Sequence, residues 1–379
     1  MPRTAVNITG VGLVTPLGSS AWATWRAVLA GRCLTDRCAN LPDEIDPLTL
    51  ARAIGAVASV QHAAADPAIE LAERAARQAI DAAGVEAAGL AMIVAASKGA
   101  VAEIARAPAG PVQRVADGLG ERLGVCCCNQ VVAACSSSLI GLHLGRQMIR
   151  AGEADRVLVV TSEAALLAEF VHSYRRLGVL PKTDPAGYRA LPLDRRRSGF
   201  VLTEVGAAAV LERAGATDNQ AAVPPHAPRI ALVDTAVAGE GTDLIRTPAD
   251  RGALRHIAER LLVEPVDLLH PHATGTAEND ASELAVYADV LQRRGTSVAD
   301  VYACKGALGH GLGSAGLTAV VLGALAHRTG RRPPMPWLAD PIDAPLPLRA
   351  EAPPAPIDRQ AVFAAGFGGH VAGVLLGPA

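Results

Sequence analysis

Apolar runs rich in β-branched residues alternate along the chain with alanine-rich segments of helical period. In the first half these runs predict strands at residues 6–10, 91–96, 156–161 and 207–211. In the second half they predict strands at residues 230–234, 266–269, 301–304 and 360–365. Because helix-like segments separate the strands, the pattern predicts crossover connections and a mostly parallel, buried sheet, which is an α/β fold.

The clearest helix follows Asp66, a capping residue, and has Pro67 in its first turn. Gly84 is expected to end it, and Leu71 and Ala75 lie on the face opposite its charged residues. We expect that face to be buried. Further helices are predicted at residues 139–150, 252–262, 278–292 and 314–327.

The order of elements is similar in two halves of the chain, although no sequence repeat is visible. Residues 214–228 lie between them and hold three prolines with Gly, Thr, Asp and Asn, which suit neither a helix nor a central strand. We therefore expect an N-terminal half at residues 1–213, a linker at 214–228 and a C-terminal half at 229–379.

Composition narrows the classes of function. Of the 379 residues, 50% are hydrophobic and 19% are charged, so a compact folded chain is expected. The 35 Lys and Arg against 37 Asp and Glu leave a net charge of −2, which lacks the basic footprint of a nucleic-acid binder. The apolar runs fall short of the ~18 residues of a membrane span, and the first ten residues lack a secretion signal. We expect a cytoplasmic protein with neither a membrane nor a nucleic-acid partner.

The seven cysteines do not suit a disulfide framework. Their number is odd, and Cys126, Cys127 and Cys128 are consecutive, so they cannot all reach disulfide partners. No Cys pair is matched by a second Cys or His pair at zinc-ligand spacing. Reduced thiols and no structural metal are therefore expected.

The first candidate for chemistry is Cys135, where an apolar run at residues 131–134 meets small polar residues and then a predicted helix. A thiol at a helix N-terminus has a lowered pKa, and free backbone N–H groups there can bind an oxyanion. Cys135 is thus a candidate nucleophile. From this segment alone, a buried structural cysteine remains the alternative.

The second candidate is the segment 270–276, which directly follows a predicted strand and contains His270 and His272. Ligands bind at such strand ends in open α/β sheets. A metal pair is not favoured, because no third ligand follows at a usual spacing. Structural histidines remain the alternative.

The third candidate is the glycine-rich segment 305–316, which also follows a predicted strand. It begins with Lys305 and contains His310. A phosphate-binding loop has its lysine after the glycines, so that pattern fails. The dinucleotide-binding pattern fails as well, because no acidic ribose partner is found in context.

Together these segments resemble the β-ketoacyl synthase family, in the branch of the elongating 3-oxoacyl-acyl-carrier-protein synthases. Residues 9–18, 193–202 and 366–369 are similar to its opening, middle and C-terminal motifs. The resemblance covers almost the whole chain and implies a thiolase-like five-layered αβαβα fold built from two similar halves. It also implies a homodimer, with a heterodimer of related subunits left open.

The resemblance also implies roles for individual residues. Cys135 matches the acyl-accepting nucleophile, with the backbone N–H groups of Cys135 and Phe367 as the oxyanion hole. His272 and His310 match the two histidines that hydrogen-bond the thioester carbonyl of a malonyl extender. Phe367 matches the gating aromatic residue, and a core residue in a glycine-rich turn is its alternative.

Further matches concern support and substrate binding. Lys305 matches the family lysine, with Glu283 as its ion-pair partner and Asp280 in the same motif. Thr274 and Thr276 match the pair that contacts the pantetheine arm of an acyl carrier protein. No tightly bound cofactor is expected, since phosphopantetheine arrives on that partner.

The sequence departs from the family pattern at several positions. Ala273 and Gly275 stand where Gly and Ser are usual, and His370 replaces a usual Thr. Ala319 stands where Glu is common. These changes predict a different pocket shape and polarity, and residues 97–124 are shorter than usual.

The expected reaction is a decarboxylating Claisen condensation of a Cys135-bound acyl group with malonyl-acyl carrier protein. One alternative is a synthase-like acyltransferase that does not decarboxylate. Another is a chain-length-factor-like partner subunit, although such subunits lack the nucleophile. A coenzyme A thiolase is disfavoured because the segment 366–370 has no second cysteine.

Overall fold

The computed structural model describes residues 4–34, 66–101, 110–125, 128–181, 190–215, 228–241, 248, 250–351 and 353–379. Cys126 and Cys127 lie outside these ranges, as does most of the predicted linker. The domain boundary at residues 214–228 therefore stays a prediction.

Ten strands form one continuous sheet in this part of the chain. The strands are β1 (Val6–Val14), β2 (Ala91–Ala95), β3 (Cys128–Val131), β4 (Arg156–Glu163), β5 (Val205–Arg213), β6 (Ile230–Gly239), β7 (Val266–His270), β8 (Val298–Val301), β9 (Gln360–Ala365) and β10 (His370–Gly377). The helices are α1 (Ala21–Leu29), α2 (Pro67–Ala83), α3 (Pro111–Leu123), α4 (Ser137–Ala151), α5 (Ala168–Arg176), α6 (Gly252–Leu261), α7 (Ala277–Arg294), α8 (Lys305–Leu308) and α9 (Ala315–Thr329).

The strand order is β3-β2-β4-β5-β1-β6-β10-β9-β7-β8. The first five strands in this order form one set, and the last five form a second set. Counted from the outer edge of the sheet inward, the second set (β8-β7-β9-β10-β6) repeats the chain order of the first (β3-β2-β4-β5-β1). In each set the outer three strands are parallel and the inner pairings are antiparallel. The sets meet only where Asn7 and Ile8 pair with Ala231 and Ile230. Two similar halves are thus present in structure, as the resemblance implied.

The expectation of a mostly parallel sheet is wrong, because the five inner pairings, from β4 to β9, are antiparallel. A hydrophobic run indicates that a strand is buried on both faces. Here parallel and antiparallel strands both contain such runs, so the runs do not distinguish the two types of pairing. The strand predicted at residues 301–304 is also displaced. It lies at Val298–Val301, because the chain turns after it into the short helix α8.

Helices cover both faces of each set of strands. Helix α2 packs on β1 and β5, and α6 packs on β6 and β10, so these form outer layers. Helices α4 and α9 contact each other and strands of both sets, so they form the central layer. This arrangement is the five-layered αβαβα fold.

Helix α9 is apolar on all sides because it is enclosed in that central layer, where all residues from Ala315 to Ala326 are buried. It is 15 residues long. No helix in the described ranges combines the length and apolar character needed to cross a bilayer.

Helix α2 forms as predicted, with the Asp66 side chain accepting from Ala68 N and Gly84 in the left-handed conformation. It lies unusually close to the sheet. A Cβ on Gly12 would lie 1.9 Å from the Ala75 carbonyl oxygen, so only glycine fits there. Close packing of helix α2 on the sheet thus depends on small residues and not on large aromatic side chains.

Candidate active site

The predicted site residues come from the carboxyl ends of parallel strands in both halves. Cys135 follows β3, His272 follows β7, and Phe367 follows β9. Lys305 and His310 follow β8. Strand ends of this kind are the usual ligand sites of α/β proteins, and the fold brings ends from the two halves to one place.

Cys135 sits in a tight turn that begins α4. A 3₁₀ turn spans Ala134–Ser136, and Ala134 has φ +47°, a conformation that costs energy for a residue with a Cβ. Two hydroxyls hold the turn: Ser136 Oγ donates to Ala133 O (2.8 Å), and Ser137 Oγ donates to Ala134 O (2.7 Å). The turn therefore fixes the thiol at the buried start of a central helix.

Cys135, His272 and His310 come together as the sequence motifs predicted. One sulfur or nitrogen atom from each lies within 4.8 Å of the others, and all three residues are buried. The two imidazole rings are 5.6 Å apart, edge to face. The Phe200 and His310 rings also pack edge to face, with ring centroids 4.7 Å apart. The geometry permits proton exchange between the thiol and an imidazole.

Burial governs the protonation of all three groups. It lowers the pKa of His272 and of His310 well below the usual value, and the Lys305 charge lowers both further. Burial also raises the pKa of Cys135 to about 12, although the Lys305 charge opposes this. The expectation of a lowered thiol pKa at the helix end is therefore wrong. The resting site holds a thiol and two neutral imidazoles.

Lys305 and Glu283 act on the same residue instead of forming the expected direct ion pair. The Lys305 ammonium donates to the carbonyl oxygen of His272. The Glu283 carboxylate accepts from the backbone N–H groups of His272 (2.6 Å) and Ala273 (2.8 Å), and from the Tyr287 hydroxyl (2.7 Å). Both charged groups thus hold the His272 backbone in place.

Asp280 joins two other segments of the site. Its carboxylate accepts from Gly275 N (3.0 Å) and from Leu193 N (2.8 Å). Burial raises the pKa of Asp280 to about 6, while these backbone hydrogen bonds oppose the rise. The supporting role predicted for Asp280 is consistent with these contacts.

The hydroxyls of Thr274 and Thr276 lie 3.1 Å apart, beside His272. Thr276 also caps α7, because its side chain accepts from Asn279 N. Its hydroxyl therefore has a structural task in addition to any contact with substrate.

The hairpin between β9 and β10 carries Phe367 to the Cys135 turn. A Cβ on Gly366 would lie 3.0 Å from Cys135 N, and Ser136 Oγ donates to His370 O (3.1 Å). Among the described residues, the Phe367 N–H has no protein acceptor. This placement fits the predicted oxyanion hole, and it leaves the Phe367 side chain half-buried at the site.

The departures from the family pattern have visible consequences. Ala273 has φ +33°, so the position where Gly is usual requires a strained backbone here. Ala319 is buried in α9, and His370 is exposed. His270 hydrogen-bonds Gln360 (3.1 Å) and does not join His272 as a metal pair.

Within the described ranges, the only group of side chains placed closely enough to hold a metal ion is Cys135, His272 and His310. The same closeness serves proton transfer from a thiol to an imidazole. Among the described cysteines, Cys135 and Cys304 are free thiols.

Sequence reasoning missed Lys98 and Glu163. Lys98 follows β2, the neighbour of the strand that leads to Cys135, and Glu163 ends β4, the next strand of the sheet. The Glu163 carboxylate accepts from Gly313 N (3.1 Å) in the segment after His310, and from Ser97 N. Their position directly after predicted strands was the signal that could have revealed them.

Two family models match the chain. Residues 127–216 match the model described as Beta-ketoacyl synthase, N-terminal domain, and residues 232–338 match the C-terminal domain of the same description. Together they cover just over half of the chain.

Similar curated proteins occur in bacteria and fungi. Over 258 residues the chain is 29% identical to 3-oxoacyl-(acyl-carrier-protein) synthase 2 of Mycobacterium leprae (strain TN), covering 65% of this chain and 59% of that protein. Over 257 residues it is 32% identical to the highly reducing polyketide synthase ausV of Aspergillus calidoustus, covering 63% of this chain and 10% of that protein. The chain therefore spans less than two thirds of these relatives' length.

A similar solved structure supports the fold along the whole chain. It is a type II polyketide ketosynthase in complex with its acyl-carrier protein and bound to a hexaketide. The match has a TM-score of 0.79 and 19% identity, and it covers 100% of both chains.

Proposed function

Because the chain belongs to the β-ketoacyl synthase family, we propose that it catalyses a decarboxylating Claisen condensation. An acyl group loads on Cys135, malonyl-acyl carrier protein follows, and a 3-oxoacyl-acyl carrier protein leaves. The observation that carries the proposal is the meeting of one buried thiol with two neutral imidazoles from the other half of the fold.

Loading requires that the thiol lose its proton. The raised pKa keeps Cys135 protonated at rest, and the nearby neutral imidazoles can accept the proton as sulfur attacks the acyl thioester. The new bond joins Cys135 Sγ to the acyl carbon. The bond to the carrier sulfur breaks, and the carrier thiolate takes the proton from the imidazole.

Condensation requires stabilisation of an enolate. His272 and His310, being neutral, can each donate one N–H to the thioester oxygen of the malonyl group. The bond to the carboxylate carbon then breaks and releases carbon dioxide. The resulting carbanion attacks the acyl carbon on Cys135, whose oxygen would face the N–H groups of Cys135 and Phe367. The Cys135 thiolate then leaves and takes one proton from solvent, which restores the resting thiol.

The partner in this proposal is an acyl carrier protein, whose phosphopantetheine arm brings each acyl group, so that no resident cofactor is required. The adjacent hydroxyls of buried Thr274 and half-buried Thr276 support a contact with that arm. The similar ketosynthase in complex with its acyl-carrier protein supports the same partner. We further propose a cytoplasmic homodimer, and the free thiols of Cys135 and Cys304 suit a reducing compartment.

The test separates loading from decarboxylation. Cys135→Ala should abolish the acyl adduct seen by mass spectrometry, while Cys128→Ala, which removes a thiol from β3, should retain it. His272→Ala and His310→Ala should still form the adduct but lose ~10²- to 10³-fold in carbon dioxide release. An adduct that persists on Cys135→Ala would contradict the nucleophile. If the wild-type protein loads acyl groups but transfers them to an amine or alcohol without releasing carbon dioxide, it is an acyltransferase.

A further inference from the structure

The repeated fold places six parallel strand ends around the site, three from each half. In the C-terminal half all three ends, those of β7, β8 and β9, carry residues used in the proposed reaction. In the N-terminal half only β3 does, through Cys135. The remaining two ends carry Ser97 and Lys98 after β2, and Glu163 at the end of β4.

Lys98 is an unusual residue in this chain. The sequence has only three lysines against 32 arginines, and two of them, Lys98 and Lys305, follow parallel strands at the same edge as Cys135. The Lys98 Nζ stands 5.6 Å from the ring centre of Phe170 and 6.0 Å from that of Tyr174. Apart from these ring contacts, its ammonium has no hydrogen-bond or ion-pair partner within the described ranges. A half-buried cation on aromatic faces keeps its hydrogen-bond donors available.

Glu163 lies deeper, and one side of its carboxylate is unused. Glu163 is fully buried, and its Oε1 accepts from two backbone N–H groups. Within the described ranges its Oε2 has no hydrogen-bond partner, nor has the buried Ser162 hydroxyl, and the Ser97 hydroxyl lies close enough to lower the pKa of the Glu163 carboxyl. Buried polar atoms without partners are costly, so this group is suited to bind a further polar group.

These polar atoms lie beside the nucleophile and beside an apolar wall. The hydroxyl of Ser137, in the Cys135 turn, also donates to the carbonyl oxygen of Ala96 (3.3 Å), which directly precedes Ser97 and Lys98. The charges of Lys98 and Glu163 both act on Cys135. Tyr174 and Phe200 belong to a buried apolar cluster on which Phe367 also packs. An acyl chain on Cys135 would therefore meet both apolar and polar surfaces.

The local charge balance favours an electronegative group. Lys98 is a cation with available donors on the N-terminal side of the site, beside the buried carboxyl of Glu163. Burial raises the pKa of that carboxyl to about 7, so it is partly protonated near neutrality. A ketone or carboxylate oxygen could accept from the Lys98 ammonium and from protonated Glu163.

We propose that Lys98, with Glu163 and Ser97, forms a subsite that binds an acceptor oxygen on the acyl group carried by Cys135. Such a site would favour acyl groups bearing a ketone or a carboxylate over saturated alkyl chains. The inference rests on the proposed function, because it requires Cys135 to carry the acyl group.

The test compares loading of four thioesters of N-acetylcysteamine: octanoyl, 3-oxooctanoyl, 3-hydroxyoctanoyl and an ω-carboxyacyl group of similar length. Loading on Cys135 is followed by mass spectrometry. We expect the wild-type protein to load the 3-oxo or the ω-carboxy group faster than octanoyl. The thioester that loads faster then identifies which oxygen, ketone or carboxylate, the subsite binds. Lys98→Met should lower that preference roughly 10- to 100-fold, the range of a hydrogen bond to a charged group.

Controls separate the subsite from a general defect. Lys98→Arg keeps the charge and should retain most of the preference, while Arg26→Met removes an exposed cation of α1 and should change nothing. If the wild-type protein loads all four groups equally, or if Lys98→Met slows all four equally, the subsite is wrong while the proposed function stands. If no thioester or carrier-bound acyl group loads at all, the proposed function itself fails.

Discussion

At the scale of single residues, burial has a larger effect on the pKa of Cys135 than the helix N-terminus has. A thiol at the start of a helix predicts a lowered pKa, yet Cys135 is so far from water that its pKa rises to about 12. The local sequence does not show how far a turn will be buried from solvent. The identity of Cys135, His272 and His310 could be predicted from their motifs, but their protonation required the packing around them.

The raised thiol pKa makes a testable prediction. Alkylation of Cys135 by iodoacetamide should be slow at neutral pH, since the thiolate is the reactive form. Its rate should increase about tenfold for each pH unit without reaching a plateau near pH 8 to 9, the usual range of a cysteine pKa. The rate is measured by mass spectrometry of the Cys135 peptide. A plateau near pH 7 would show that the thiol is ionised at rest.

Glu163 makes a second prediction, on stability. Its pKa is 4.5 in an exposed carboxyl and rises to about 7 in the folded protein because of burial. Between these values the unfolded chain ionises while the folded one stays protonated, so the stability contributed by this group falls as pH rises and reaches its minimum above pH 7. Glu163→Gln removes this loss of stability, which is roughly 3 kcal/mol once the carboxyl is ionised in both the folded and the unfolded protein.

The measurement is urea unfolding of both proteins at about pH 5 and about pH 8. The stability of Glu163→Gln relative to wild type should increase with pH. A difference that is the same at both pH values would contradict the raised pKa.

At the scale of elements, the sequence predicts strands and helices well but not their arrangement. Alternating apolar runs located most strands, and the Asp66 and Gly84 signals defined α2, because these patterns are local. The pairing of strands depends on contacts between distant segments, so the antiparallel centre of the sheet was not predictable from the runs. The same holds for Lys305 and Glu283, whose contacts through the His272 backbone need the folded loop.

The close approach of α2 to the sheet gives a prediction at this scale. Gly12→Ala would place a Cβ 1.9 Å from the Ala75 carbonyl oxygen, and neither backbone can move without separating two layers. We expect a loss of about 3 kcal/mol or more in the free energy of unfolding. Gly89→Ala is the matched control, because no heavy atom in the described part of the chain lies within 4 Å of the added Cβ, and it should change stability by less than about 0.5 kcal/mol. Equal effects of the two substitutions would contradict the close packing.

At the scale of the whole molecule, the site exists only because two halves face each other across the central helices. Helix α4 follows Cys135, and α9 follows His310. The helices touch where Leu317 N donates to Ser138 Oγ (3.0 Å), and a Cβ on Gly316 would lie 2.6 Å from Leu139 Cγ. The spacing of these helices therefore sets the spacing of the thiol and the imidazoles.

Widening that contact should affect catalysis more than folding. Gly316→Val should push α9 from α4 and lower carbon dioxide release by ~10²-fold, the scale of a misplacement of about 1 Å. Gly110→Val is the control, because no atom of the described residues lies within 4 Å of the added Cβ. Carbon dioxide release and melting temperature are measured on both proteins. Normal activity in Gly316→Val would show that the helix contact does not set the geometry.

The two sets of strands are joined by only two residue pairs, and this has a thermal consequence. Sheet hydrogen bonds hold each half together along its length, but the alignment between the halves depends on side-chain packing in the middle layer. Warming should loosen that packing first, so that the halves shift as bodies while each keeps its secondary structure. Activity should then disappear several degrees below the temperature at which circular dichroism records unfolding, and it should return on cooling. The protein would thus switch off reversibly with heat before it melts.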